Sequence, residues 1–215
     1  MNYLAHMVVG KWAGLEAAGV LGNFIGDAVK GRHVEAHWPA DVAHGIRLHR
    51  ELDEASDRHD ASRHARALLR PRCGKWSGVV WDVLADHVLA REFTSRAEGC
   101  GPLDVFSRRH ENVLRLQEGA MPERSRRFFQ AMVAHGWLAG YQHGDVVAAV
   151  LQAMSQRRPS AGPVAQGWAA FEASSEPLAA CARALVADMK IWATSVNAGF
   201  ELTEKDVSLG EQLTR

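Results

Sequence analysis

Apolar side chains recur along most of the chain at spacings of three and four residues, which is the pattern of an amphipathic α-helix. The two-residue alternation typical of β-strands is almost absent, and no Asn-Gly or Asp-Gly turn joins alternating segments. The pattern therefore predicts an all-α protein. The expected helices cover 15–30, 39–55, 58–70, 77–97, segments that begin at Pro102 and at Pro122, 145–157 and 164–195.

Glycine and proline set several expected helix boundaries. Gly31 is suited to cap the first helix, and Pro71 is expected to stop the third. The breaks between helices are short, so the sequence predicts a single-domain helical bundle over residues 1–196. The polar segment 197–215 is predicted to be a C-terminal tail outside that bundle.

Composition and charge narrow the class of protein. A length of 215 residues suits one domain, and a 47% hydrophobic content suits a folded core. The 25 basic and 25 acidic residues balance, which disfavours a generic nucleic-acid-coating protein. No apolar run is long enough to cross a bilayer, no secretory leader is recognisable, and the cysteines are scattered. We therefore expect a cytoplasmic protein without a membrane partner.

The second predicted helix carries the first candidate chemistry. His49, Asp53 and Asp57 follow one another at intervals of four residues, so they form a stripe along one helix face. An imidazole and a carboxylate at this spacing can contribute two ligands to one metal ion. The alternatives are a solvated polar face, or an Asp57 that simply caps the next helix.

The fourth predicted helix places ionisable groups among apolar residues. Asp82, Asp86 and His87 are surrounded on nearly every side by valine, leucine and alanine. A helix that is apolar all round is buried, and a buried carboxylate needs a partner or a metal ion. Buried ion pairs with arginine are the alternative to a metal site.

Two further residues complete the candidate set. Asp27 lies among apolar neighbours near the end of the first predicted helix, and His6 lies near the start of the chain. A solvated aspartate and a structural histidine are the alternatives. If these groups converge with those of the other helices, they form a hydrolytic metal centre, and the His and carboxylate donors suit Mn²⁺, Fe²⁺, Zn²⁺ or Mg²⁺.

Basic residues are grouped in three places. The groups are Arg63, Arg66, Arg70, Arg72 and Lys75; Arg124, Arg126 and Arg127; and Arg157 with Arg158. Each group is either an ordinary solvated face or a surface that docks an acidic partner or holds a phosphate.

Five blocks of sequence resemble one known family. The blocks are MNYLAHM at the start, LGNFIGD at 21–27, GIRLHRELD at 45–53, WDVLADHVLAREF at 81–93 and MSQRRP at 154–159. Together, and in this order, they resemble the acyl carrier protein phosphodiesterase family, also called acyl carrier protein hydrolase. That family is similar to the all-helical HD-type metal-dependent phosphohydrolases. The resemblance implies removal of the 4′-phosphopantetheine arm from holo acyl carrier protein, with Mn²⁺ as the favoured metal.

The resemblance carries over Asp27, His49, Asp53, Asp86 and His87 as site candidates, with His6, Asp57 and Asp82 next. Our hypothesis is that the first five hold one or two divalent ions. In the same hypothesis His6 is a general acid, Asp82 has a catalytic role, and Arg50 or the pair Arg157–Arg158 neutralises phosphate oxygens. Binding of the phosphate or of the acidic carrier protein falls to Arg63, Arg66, Arg70, Arg157 and Arg158. The pair Asp86–His87 has the reverse of the order that names the HD group.

Two other hypotheses remain open at this point. One is an HD-like phosphohydrolase that acts on a small phosphoester or a nucleotide. The other is a non-catalytic helical binding protein, in which the aspartates and histidines form buried pairs only. The sequence does not give the oligomeric state.

Overall fold

The structure, a computed structural model, describes the backbone of residues 1–212 and the side chains of residues 1–196. No strand occurs in residues 1–212, which confirms the prediction of an all-α fold. The α-helices are α1 Tyr3–Trp12, α2 Ala17–Ile25, α3 Ala40–Arg58, α4 Asp60–Cys73, α5 Ser77–Arg91, α6 Phe93–Arg96, α7 Leu103–Arg115, α8 Glu123–Ala134, α9 Trp137–Gly140, α10 Gly144–Ser155, α11 Gly167–Ala173 and α12 Ser175–Gln212. Short 3₁₀ turns lie at Gly26–Ala28, Val34–Ala36, Gly74–Trp76, Glu118–Ala120 and Pro159–Gln166.

Helix α5 lies at the centre of the bundle. It packs against α1, α4, α10 and α12, and most of its side chains are buried. This burial follows from a sequence that is apolar on nearly every side of the helix. Trp81 is fully buried, and its indole nitrogen donates a hydrogen bond of 3.1 Å to the hydroxyl of Ser62 on α4. One contiguous apolar core therefore surrounds α5.

Helices α2 and α3 cross with their backbones in direct contact. A Cβ atom at Gly22 would overlap the carbonyl oxygen of Val42, and one at Gly45 would overlap the carbonyl oxygen of Gly19. Only glycine permits such an approach, because it has no Cβ atom. This crossing fixes the position of α3 relative to the turn that follows α2.

Helix α1 was not among the predicted helices. All of its residues from Leu4 to Gly10 are buried, so its sequence lacks the polar stripe by which an amphipathic helix is recognised. Its first backbone amides are not capped by a neighbouring side chain. Instead, the carboxylate of Asp86 on α5 accepts hydrogen bonds from the amides of Leu4, at 2.8 Å, and Ala5, at 3.2 Å.

Several predicted boundaries differ from those of the structure. Pro71 does not stop α4, which continues to Cys73, because a proline in the last turn removes only one backbone hydrogen bond. The helix predicted over 77–97 breaks at Glu92. The helix predicted over 164–195 is divided at Ser174, which separates α11 from α12.

The C-terminal prediction falls largely outside the described side chains. The backbone of α12 continues to Gln212, whereas side chains are described only to residue 196. The division into a bundle over 1–196 and a tail over 197–215 therefore stays a prediction. Within the described part of the chain, no helix combines the length and the apolar content that crossing a bilayer requires.

Candidate metal centre and cleft

Two histidines and an aspartate from α1 and α3 converge into one cluster. The ligand atoms of His6, His49 and Asp53 all lie within 4.8 Å of one another. Nε2 of His6 lies 3.0 Å from Oδ1 of Asp53, and Nε2 of His49 lies 3.2 Å from its Oδ2. The two imidazole rings are stacked, with centroids 4.1 Å apart. The four-residue spacing of His49 and Asp53 produces the α3 half of the cluster, as the sequence analysis expected.

Asn23 determines which nitrogen of His6 faces the cluster. Its amide nitrogen donates a hydrogen bond of 2.7 Å to the carbonyl oxygen of His6, so its Oδ1 is directed at Nδ1 of the same residue, 3.3 Å away. This oxygen can only accept, and so can the carboxylate of Asp53 on the other side of the ring. A neutral imidazole has one proton, so it satisfies only one of these two acceptors. With the proton on Nδ1, Nε2 presents a lone pair beside the Asp53 carboxylate, and a cation can bind to both atoms.

His49 is buried but poorly satisfied. Its ring is 3% exposed, and neither nitrogen has a hydrogen-bond partner among the described residues. Nε2 lies 3.4 Å from Oδ1 of Asp27 as well as near Asp53, but the angles do not suit hydrogen bonds, so the attraction is ionic. The ring packs directly against Gly26, where a Cβ atom would overlap it. Neither Gly26 nor Asn23 is among the predicted site residues, because their roles depend on contacts between helices.

Charge and burial act in opposite directions on the two histidines. Burial, aided by the neighbouring His49, lowers the pKa of His6 to about 4, so the ring is neutral at pH 7. Burial also lowers the pKa of His49, but the contacts with Asp27 and Asp53 outweigh it and raise that pKa to about 9. The histidines in turn lower the pKa of Asp53 against the effect of burial. Contact with His49 likewise lowers the pKa of Asp27.

The donor set suits a divalent cation. His6, His49, Asp53 and Asp27 together offer imidazole nitrogens and carboxylate oxygens, which are the ligands of Mn²⁺, Fe²⁺ and Zn²⁺ sites. The neutral state of His6 suits a ligand better than the predicted role of a general acid, because a general acid must hold a proton to give.

A cleft of about 620 Å³ lies beside the cluster. The carboxylates of Asp27 and Asp82 line it, and Asp27 connects it to His49. Its apolar wall includes Phe24, Phe128, Trp137, Tyr141 and Met154. Its edge carries Arg124 and Arg127 from α8 and Arg157, which follows α10. The cleft thus combines an acidic end, an aromatic wall and a basic edge.

Asp82 lies between the cleft and the cluster. Its side chain is 36% exposed, and its Oδ1 lies 3.2 Å from the α-amino nitrogen of Met1. That nitrogen is also 3.9 Å from Oδ1 of Asp53. Burial raises the pKa of Asp82, although the positive charge of the amino group lowers it. The raised pKa makes Asp82 a candidate for proton transfer.

Comparison with known proteins identifies the family. The model of the family described as "Acyl carrier protein phosphodiesterase" matches residues 1–189. The chain belongs to the acyl carrier protein phosphodiesterase family. The match covers all residues of the cluster and of the cleft.

Curated relatives carry the same description. A protein of Klebsiella pneumoniae (strain 342) named acyl carrier protein phosphodiesterase is 30% identical over 168 residues, which are 78% of this chain and 84% of the relative. The Yersinia pestis protein of that name is 30% identical over 182 residues, covering 83% of this chain and 90% of the relative. The Escherichia coli O6:H1 protein of that name is 29% identical over 182 residues, which are 83% of this chain and 90% of the relative. No solved structure matches the chain, so the likeness to HD-type folds stays a prediction.

The structure does not bring Asp86 and His87 into the cluster. Both oxygens of Asp86 are occupied by backbone amides of α1, and burial raises its pKa to about 7. His87 shares a hydrogen bond of 2.7 Å between its Nδ1 and the carbonyl oxygen of Tyr141, and its ring lies edge-on to Trp168 and Phe171. The metal-ligand roles predicted for this pair therefore have no support in the geometry. The predicted alternative, a buried ion pair with arginine, does not describe Asp86 either, because its partners are the backbone amides of Leu4 and Ala5.

Arg50, predicted to neutralise phosphate oxygens, is directed elsewhere. Its guanidinium donates hydrogen bonds to the carbonyl oxygens of Val29, at 2.9 Å, and Gly31, at 2.8 Å. These bonds hold the loop that follows Asp27. Arg50 therefore positions the turn at Asp27, and it is not among the residues that line the cleft.

The α4 arginines do not lie at the cleft. Arg63 pairs with Asp60, and Arg66 pairs with Asp57 at 3.1 Å. Arg70 is exposed on the same helix, and none of the three lines the cleft. Asp57 therefore lies outside the cluster on an exposed helix face, in agreement with the predicted alternative of a solvated face.

The two arginines after α10 have different positions. Arg157 lies at the edge of the cleft, as described above. Arg158 lies with its guanidinium 5.9 Å from the ring centroid of Trp76, so it contacts the 3₁₀ turn before α5 instead of the cleft. Of the predicted phosphate- or partner-binding residues, the structure brings only Arg157 to the cleft.

Proposed function

We propose that this chain is a divalent-metal-dependent phosphodiesterase that releases the 4′-phosphopantetheine arm from holo acyl carrier protein and leaves the apo protein. Membership of the family, in which the relatives carry that name, supports the substrate. The observation that carries the metal dependence is the convergence of two buried imidazoles and a carboxylate, since the ligand atoms of His6, His49 and Asp53 all lie within 4.8 Å of one another.

The residues of the cluster fit such a cation. His6, His49, Asp53 and Asp27 would hold it, with Mn²⁺ favoured and Mg²⁺, Fe²⁺ or Zn²⁺ as alternatives. A bound divalent cation lowers the pKa of a coordinated water and polarises the phosphodiester. Asn23 offers an acceptor to Nδ1 of His6, which favours the tautomer with a free Nε2 once a cation is bound, and Gly26 leaves space for the His49 ring.

The cleft provides the place for the substrate's arm. A pantetheine chain is long, flexible and partly apolar, which suits a cleft of about 620 Å³ with an aromatic wall. With the arm along that wall, the phosphodiester lies at the acidic end, next to Asp27 and Asp82. Asp82, whose pKa is raised by burial, then delivers a proton to the serine oxygen of the carrier protein as it leaves.

The test is intact-mass analysis of holo acyl carrier protein after incubation with the purified protein and Mn²⁺. We expect loss of the phosphopantetheine mass, and we expect EDTA to abolish it. The variant His49→Ala should lose about 100-fold or more of the rate, together with Mn²⁺ binding measured by titration calorimetry. His64→Ala is the matched control, since it removes an exposed imidazole on α4 that is not part of the cluster.

The outcomes separate the hypotheses. If the mass persists while the protein binds Mn²⁺ and cleaves a small phosphodiester, the HD-like phosphohydrolase of small phosphoesters replaces this proposal. If the protein neither binds Mn²⁺ nor cleaves either substrate, the metal centre itself is wrong. Cleavage that survives EDTA and His49→Ala would remove the metal dependence but keep the substrate.

A further inference from the structure

We infer that the acidic carrier protein docks on the basic edge of the cleft, formed by Arg124, Arg127 and Arg157, and not on the α4 face formed by Arg63, Arg66 and Arg70. This inference rests on the proposed function, because it names the surface by which the substrate protein is received. An acidic carrier protein binds best to a positively charged surface, and that surface must lie close enough to the metal centre for the phosphodiester to reach it.

The three arginines of the cleft edge lie close to the proposed site. Arg124, Arg127 and Arg157 are exposed and line the same cleft as Asp27 and Asp82. A protein docked on this edge can place its attached arm directly into the cleft. The α4 arginines line no part of the cleft, so a protein docked there would hold its arm away from the cluster.

The guanidinium groups of the two surfaces differ in how many are already paired. At the cleft edge, Arg127 is paired with Glu123, whereas the guanidinium groups of Arg124 and Arg157 have no ion pair or hydrogen bond among the described side chains. On α4, Arg66 is bonded to the side chain and the carbonyl oxygen of Asp57, Arg63 is bonded to Asp60, and only Arg70 of the three has no such partner. An incoming acidic surface therefore meets two unpaired guanidinium groups at the cleft edge and one on the α4 face, so the cleft edge gains more from new ion pairs.

The cleft holds charges of both signs. Asp27 and Asp82 lie next to the cluster, whereas the three arginines are exposed at the surface. An acidic protein is attracted by the arginines and repelled by the two carboxylates, which favours an orientation in which its acidic surface meets the arginines.

Aromatic anchors lie beside the arginines of the cleft edge. Phe128, on the same helix as Arg124 and Arg127, is half-buried and stacks on Tyr3 with ring centroids 4.4 Å apart. Trp137 is half-buried and lies 5.7 Å from Phe128. Aromatic residues together with arginine are the composition that dominates binding energy at protein interfaces.

The test compares a protein substrate with a small one. For the double variant Arg124→Glu/Arg157→Glu, we expect kcat/KM for holo acyl carrier protein to fall at least about tenfold more than kcat/KM for bis(4-nitrophenyl) phosphate. The neutral variant Arg124→Gln/Arg157→Gln should lie between it and the wild type. Arg109→Glu is the control, since Arg109 is another exposed arginine with no described ion pair and lies outside the cleft.

Binding of apo acyl carrier protein, measured by calorimetry at two salt concentrations, gives a readout that does not depend on catalysis. We expect the double reversal to weaken this binding and to flatten its salt dependence. If the wild type cleaves holo carrier protein but Arg63→Glu/Arg66→Glu impairs that reaction while the cleft-edge variants do not, the docking inference is overturned and the proposed function stands. If the wild type neither binds nor cleaves the carrier protein, both are overturned.

Discussion

Two helices of this protein each carry a histidine and an aspartate, and the two pairs differ in their surroundings and in their hydrogen bonds. On α3, His49 and Asp53 meet His6 beside the cleft, and the nitrogens of His49 have no hydrogen-bond partner among the described residues. On α5, Asp86 and His87 are buried in the centre of the bundle, where backbone groups of other segments satisfy Asp86 and one nitrogen of His87.

The difference lies in what faces each pair. The α3 pair faces a second imidazole, that of His6, and the carboxylate of Asp27, which together are ligands that a divalent cation can bind. Asp86 faces the amino-terminal end of α1, whose free amides are natural partners for a carboxylate. The segment that packs against an aspartate–histidine pair therefore decides its role. Side chains with further ligand atoms favour a metal site, whereas the amino-terminal end of a helix favours structural hydrogen bonds.

The largest test of this contrast is Asp86→Ala. We expect the free energy of unfolding to fall by roughly 4 kcal/mol, because the buried amides of Leu4 and Ala5 lose their acceptor. The affinity of the folded protein for Mn²⁺ should change little. Urea denaturation and calorimetry measure the two quantities. A variant that keeps its stability but loses Mn²⁺ would show that Asp86 belongs to the metal centre after all.

A second test uses the pH dependence of stability. The pKa of Asp86 is about 7 in the folded protein and 3.8 in its ordinary state, because burial disfavours the charge. The folded state therefore holds an extra proton between these values, and the contribution of Asp86 to stability falls as pH rises from about 4 to about 7. Relative to Asp86→Asn, the wild type should lose on the order of 3 kcal/mol of unfolding free energy across that interval. A difference between the two proteins that stays flat with pH would contradict the burial of this carboxyl group.

The smallest expected effect tests the α3 side of the contrast. In Gly26→Ala the new methyl group would overlap the His49 ring and displace it. We expect the affinity for Mn²⁺ to fall about tenfold and the free energy of unfolding to fall by about 1–3 kcal/mol, because the overlapping atoms lie at the base of a buried ring. Gly119→Ala is the matched control, since a Cβ atom there meets nothing within 4 Å. Equal Mn²⁺ affinity in the two variants would mean that the position of His49 is not critical.

The sequence predicted the helical class and the α3 stripe because both depend on local spacing. The four-residue interval between His49 and Asp53 places them on one face whatever packs nearby. It did not predict α1, because a helix buried on every side has no polar stripe, and because its cap is supplied by Asp86 from elsewhere in the chain.

The partners of the other candidates depend on tertiary contacts. The arginines illustrate this limit. Arg50 and Arg66 are equally basic in the sequence, yet one holds the loop after Asp27 and the other an ion pair with Asp57. Whether a guanidinium remains free for a ligand is decided by which acidic groups and carbonyl oxygens the fold brings to it. Local spacing carries no such information, and so only Arg157 of the predicted binding arginines reached the cleft.

The capping of α1 by α5 also sets an order of events during synthesis. Leu4 and the carboxylate that holds its amide are separated by 82 residues. At about 5–20 residues per second, a ribosome takes roughly 4 to 16 s to make that stretch. During this interval α1 is an apolar segment whose first amides lack their acceptor. The nascent chain can therefore cap α1 only after α5 has been made, and a chaperone that shields the first twelve residues would act in this window.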